Sequence, residues 1–150
     1  MIKVNVEIDN KSWHKQVQKP QRYFNQKLRK ISKINKFFIK KKIVFTILLT
    51  NSLNIKRLNR KFRKRNKSTD VLSFPTFSKK NLKLIREKKI YIGDLAASYE
   101  IILARAKSKN FLKLLTKIFF WMFNFFVPRF ITYLNINLYH SYSFDRLLQF

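Results

Sequence analysis

Ile43-Val44-Phe45-Thr46-Ile47-Leu48-Leu49-Thr50 is a continuous apolar run, partly β-branched. It reads as a central strand buried on both faces. A strand of that kind needs secondary structure packed over each side, so the rest of the chain is expected in layers around it. Ile2, Val4, Val6 and Ile8 alternate with Lys3, Asn5 and Glu7, the period of a half-buried strand, and Asp9-Asn10 closes it. The stretch from Trp13 to Gln18 has no clear period. Pro20 suits a first helical turn, and Phe24, Leu28, Ile31, Ile34 and Phe38 follow at helical spacing with Lys and Arg between them. After the apolar run, Asn51 or Ser52 can cap a helix whose apolar stripe is Leu53, Leu58 and Phe62.

Ser68, Thr69 and Asp70 can bond their own backbone and set a turn, after which Val71, Leu72 and Phe74 suit a buried strand that Pro75 ends. From Phe77 to Lys89 the chain is polar and lysine-rich, with an ambiguous helical turn around Leu82–Ile85. Ile90–Ala97 is the next strand and holds Gly93, the one glycine of the chain. Ser98 can cap a helix with Tyr99, Ile102, Leu103 and Ala106 on one face. Lys107-Ser108-Lys109-Asn110 breaks it, and Phe111, Leu112, Leu114, Leu115 and Ile118 begin another. Strand, helix, strand, helix, strand, strand, helix, helix is an α+β order, with a small mixed four-stranded sheet packed against helices.

The chain carries a net charge of +27. Surfaces this rich in Lys and Arg bind polyanions by counterion release, so nucleic acid is the first partner to consider. The abundance of Lys, Asn, Ile and Phe also fits an AT-rich gene, which leaves a solvated basic face as the other reading. The same two readings apply to Arg60, Lys61, Arg63, Lys64 and Arg65, either cations at a helix C-terminus or a ridge that contacts phosphates, with Lys67 close behind. There is no cysteine, hence no disulfide and no thiolate metal site. The N-terminus alternates charge and hydrophobe, unlike a signal peptide, and a cytoplasmic location is expected.

Leu58-Asn59…Phe62-Arg63, then Thr69-Asp70-Val71-Leu72-Ser73-Phe74-Pro75, then Ile92-Gly93-Asp94 resemble the YbeY family of single-strand-specific endoribonucleases, which mature small-subunit ribosomal RNA. The resemblance covers residues 1–117, read as a YbeY-like α+β domain, and implies ribosomal RNA and the small ribosomal subunit as partners, with no DNA specificity and no membrane. It also implies zinc, held by three histidines of a His-x-x-x-His-x-x-x-x-x-His signature, as the source of a hydroxide nucleophile. By the same resemblance Arg63 is the catalytic phosphate contact, and Arg60, Lys61, Lys64, Arg65 and Lys67 are candidates for RNA binding. Asp70 and Asp94 are expected to order loops rather than do acid/base work.

The zinc signature is missing. Run forward from Leu114-Leu115-Thr116-Lys117-Ile118, its histidine positions fall on Trp121, Phe125 and Ile131, and its glycine on Met122. His140 has only Asp145 nearby in sequence, and two ligands do not make a catalytic zinc site. Zinc is therefore expected not to bind this chain, and no metal ligand is assigned. Composition breaks at the same place: residues 1–117 hold 32 of the 34 Lys and Arg, whereas 118–150 hold 12 of the 24 aromatics. A shift of reading frame between residues 110 and 120 explains both, since His-Gly codons read two bases late can yield tryptophan. At face value, residues 118–150 instead form an aromatic-rich segment suited to a membrane surface or to aggregation. The chain is thus read as an endoribonuclease by family that is inactive as translated. The alternatives are a non-catalytic basic RNA- or ribosome-binding protein and a basic membrane-surface protein.

Overall fold

The computed structural model describes residues 1–34, 42–76, 87–106 and 110–119. Strands β1 (Ile2–Ile8), β2 (Lys42–Thr50), β3 (Val71–Pro75) and β4 (Lys89–Ser98) form one sheet in the order β1-β2-β4-β3. β1 and β4 both run parallel to β2, and β3 runs antiparallel to β4. Helices α1 (Pro20–Ile34), α2 (Ser52–Arg63) and α3 (Tyr99–Ala106) connect or follow these strands, and residues 111–119 form a fourth helix, α4. The α+β architecture with a mixed four-stranded sheet matches the order of elements expected from sequence. The apolar run does occupy the centre, paired along its length to β1 on one side and β4 on the other.

The two faces of the sheet carry different cores. On one, Ile43, Phe45, Ile47 and Leu49 of β2 join Phe24 and Leu28 of α1, Ile102 of α3, and Phe111, Leu115 and Phe119 of α4. On the other, Ile55 of α2 packs on Leu72 and Ala96, with Leu48, Leu58 and Phe74 around them. Branched and aromatic side chains on a two-sided strand fill both layers, and that burial is the main driving force for this arrangement.

The outer edge of β1 is closed by α1. Gln21 Nε2 donates to the Val4 carbonyl at 2.6 Å, Val6 N–H donates to Gln21 Oε1 at 3.0 Å, and Val4 N–H to Asn25 Oδ1 at 3.3 Å. Gln21 and Asn25 lie one helical turn apart on the same side of α1, so one helix face satisfies an otherwise open sheet edge.

Two sequence expectations are corrected, and a stretch the sequence left open takes a definite form. The stretch without a clear period contains a 3₁₀ helix, Lys11–Lys15, that drives Trp13 into the core at 0% exposure. The Trp13 indole N–H donates to the Thr50 carbonyl at 3.0 Å, and the ring meets Tyr99 and Phe111 edge-on. The α2 stripe is also different: Leu53 and Phe62 are 60% and 57% exposed, and Ile55 and Asn59 are the buried pair. A spacing of four puts those two on one face, and the donor end of the buried Asn59 amide is satisfied by the Lys67 carbonyl. Leu103 of α3 is exposed rather than sharing the buried face of Tyr99, Ile102 and Ala106, because it falls on the outer margin of that stripe, on the side away from Ile102.

Candidate nucleic-acid interface

Helix α2 delivers the basic residues to the surface in a held conformation. Asn51 starts it, its Oδ1 accepting the Asn54 N–H at 2.8 Å. Lys64 ends it in the left-handed conformation, φ 57°, and its N–H returns to the Asn59 carbonyl. The Arg65 N–H reaches the same carbonyl at 3.3 Å, and Asn59 Nδ2 donates to the Lys67 carbonyl at 2.7 Å. One buried asparagine thus folds residues 64–67 back onto the helix end. Its Oδ1 is buried with no hydrogen-bond partner.

Arg60, Lys61, Arg63, Lys64, Arg65 and Lys67 are all exposed along this turn. The sequence holds no Asp or Glu between Asp9 and Asp70. Asp70 itself is engaged: it pairs with Arg105, and its Oδ1 accepts from Val71 N–H and Thr69 Oγ1, both at 3.0 Å. The six cations therefore form a ridge without a neighbouring carboxylate in sequence to neutralise it, which is the electrostatic pattern of a phosphate-contacting surface. Arg63, the expected phosphate contact, turns onto β3, with Nη2 at 3.4 Å from the Ser73 carbonyl and 3.5 Å from Ser73 Oγ. These bonds are long and the residue is exposed, so most of its donors remain available to an anion.

Close approach of β3 to β4 is permitted by Gly93. Its φ is +129°, and a Cβ there would stand 2.2 Å from the Phe74 carbonyl oxygen. Phe74 in turn meets the exposed Phe62 ring at 5.1 Å and 65°. The glycine therefore fixes the strand that braces the basic turn.

Asp9, Glu100 and Asp94 are engaged by donors within the fold. Asp9 accepts from Thr50 Oγ1 and Asn54 Nδ2, each at 2.5 Å, and these bonds hold its carboxyl below the ordinary value. Glu100 accepts from Ser52 N–H at 2.7 Å and Asn10 Nδ2 at 3.2 Å. Asp94 accepts the Tyr91 hydroxyl, which also meets Thr46 Oγ1 at 2.9 Å; burial first, then the Asp94 bond, pushes the Tyr91 phenol up.

No group of three His, Cys, Asp or Glu able to hold a metal occurs among the described residues. Trp121, Met122, Phe125, Ile131, His140 and Asp145 lie outside them. The chemistry at the three expected ligand positions is nonetheless plain from identity. An indole N–H donates only, and phenyl and alkyl groups carry no lone pair, so Trp121, Phe125 and Ile131 do not fit a zinc ion. No described helix is long and apolar enough to cross a membrane. Of the cations that sequence reasoning singled out, Arg60, Lys61 and Arg63 lie in the last turn of α2, Lys64 caps it, and Arg65 and Lys67 follow, all exposed. Sequence reasoning missed Asn59, Phe62 and Ser73, whose parts depend on how α2 is rolled against the sheet.

Comparisons with known proteins agree with this architecture. The sequence pattern of the family described as Endoribonuclease YbeY matches residues 7–123. An Endoribonuclease YbeY of Pelagibacter ubique is 46% identical over 102 residues, covering 68% of this chain and 63% of that protein. One of Caldicellulosiruptor bescii is 39% identical over 82 residues, 51% of this chain and 52% of that protein. The chain thus spans less than two thirds of the length of these relatives. The solution structure of TM1509 from Thermotoga maritima has the same fold at a TM-score of 0.52 and 20% identity, covering 99% of this chain and 85% of that one.

Proposed function

This chain belongs to the endoribonuclease YbeY family, and from that premise we propose that it engages single-stranded RNA of the small ribosomal subunit through the basic turn at the end of α2. The observation that carries the reading is the ridge of six exposed cations, held by Asn59 and with Asp70 already paired to Arg105. Arg63 matches the family's phosphate-contacting arginine, and its exposure and long bonds to Ser73 support a role in holding a phosphate. In the family that chemistry is hydrolysis of a phosphodiester by metal-activated water during maturation and quality control of ribosomal RNA. In this chain the ligand positions Trp121, Phe125 and Ile131 offer no donor atoms, so the chain as translated binds RNA without cutting it.

Residues 118–150 are ascribed to a shifted reading frame, because the lysine content and the family pattern both end in the same region, the latter at residue 123. Translation of the gene in all three frames tests this: a three-histidine signature after Lys117 in another frame supports it, and its absence from every frame rules it out. The functional reading is tested with a labelled single-stranded RNA. Binding that weakens steeply with salt, with no cleavage on adding zinc, is the expected result. Zinc-dependent cleavage by a preparation carrying stoichiometric zinc would overturn the inactivity, and salt-independent binding would overturn the role of the basic turn.

A further inference from the structure

Phe62 occupies a position that neither the core nor the phosphate contacts account for. It is 57% exposed, the most exposed aromatic among the described residues. Its ring is not adrift: Phe74 meets it at 5.1 Å and 65°, a T-shaped contact that restrains its orientation without stacking over it. Phe74 is fixed by its place in β3, opposite Asp94 of β4. Lys61 Nζ sits over the Phe62 ring at 5.4 Å, and Arg63 and Lys64 follow directly in sequence. Its exposed place in the middle of a cationic ridge suits a ligand that is both apolar and anionic.

A single-stranded nucleic acid is such a ligand, because each unit pairs a flat π-surface with a phosphate. We propose that Phe62 is a stacking platform for one unpaired nucleobase, with the adjacent phosphates taken by Lys61, Arg63 and Lys64. The proposal rests on the RNA-binding reading and adds to it a subsite that senses bases. Duplex nucleic acid keeps its base faces inside the stack, so this subsite discriminates strandedness by geometry, without reading sequence. An acidic peptide would satisfy the cations but present no aromatic plane of that size at each charge.

The test compares three probes on the wild-type chain and on Phe62→Ala by fluorescence anisotropy: a single-stranded oligoadenylate, an abasic ribose-phosphate oligomer of the same length, and an RNA duplex. Stacking predicts that Phe62→Ala loses roughly tenfold in affinity for oligoadenylate and is unchanged toward the abasic oligomer and the duplex. Phe62→Trp should keep the affinity and report binding by quenching of its own fluorescence, which also guards against a misfolded alanine variant. Equal losses on all three probes, or no loss on oligoadenylate, would overturn the stacking role while leaving the basic turn intact. Failure of the wild-type chain to bind any probe at low salt would instead overturn the RNA-binding reading itself.

Discussion

Gly93 is the residue on which the sheet depends most directly. At φ +129° and with the Phe74 carbonyl 2.2 Å from any added Cβ, the backbone of β4 admits no side chain at that point. Gly93→Ala is expected to cost about 3 kcal/mol, from the strained backbone together with displacement of β3, read as a lower urea midpoint at an unchanged m-value. Asp9 makes a second prediction. Its carboxyl is held below the ordinary value of 3.8 by the bonds from Thr50 and then Asn54. A depressed value in the folded state contributes stability that is present above the unfolded value and is lost as pH falls through the folded one. Asp9→Asn should therefore be less stable at neutral pH and show a shallower loss on acidification, measured by thermal unfolding across the acid range.

At the scale of elements, α2 shows how a helix end becomes a surface. Its C-terminal turn places a lysine, not a glycine, in the left-handed region at φ 57°. That conformation costs a residue with a Cβ about 1 kcal/mol relative to glycine. Lys64→Gly is expected to raise stability by about 0.5–1 kcal/mol while weakening RNA binding and lowering the magnitude of its salt slope by about 0.7, the share of one phosphate contact on a single strand. Stability and binding moving in opposite directions would separate the conformational role of this residue from its charge. If both move together, Lys64 supports the fold and not the phosphates. The remaining elements bear out their patterns wherever apolar spacing is long and regular: β1, β2, β4 and α1 as far as Ile34 fall where the sequence places them, and Phe38 lies outside the described residues. The exceptions have local causes. The 3₁₀ turn around Trp13 is too short to show a period, and the roll of α2 is decided by the buried Ile55 and Asn59 rather than by its largest apolar residues.

For the whole molecule, a charge of +27 favours polyanionic partners by electrostatics and makes such binding sensitive to salt. With six phosphate contacts on a single strand, affinity is expected to fall on the order of 10²-fold between 50 and 200 mM salt, a titration that anisotropy resolves. A slope near zero would assign the lysines to composition alone. The sequence by itself determined the layered α+β fold, because period-two and period-3.6 patterns express burial directly and Ile43–Thr50 demands cover on both faces. Side-chain identity also decides that Trp121, Phe125 and Ile131, where the family resemblance would put zinc ligands, offer no ligand atom. Only the tertiary structure decided that Asn59 gathers the basic turn, that Arg63 bends onto Ser73, and that Phe62 stands exposed against Phe74. Those outcomes depend on the rotation of α2 against the sheet and on the close approach at Gly93, and both are set by packing between segments distant in sequence rather than by any local pattern.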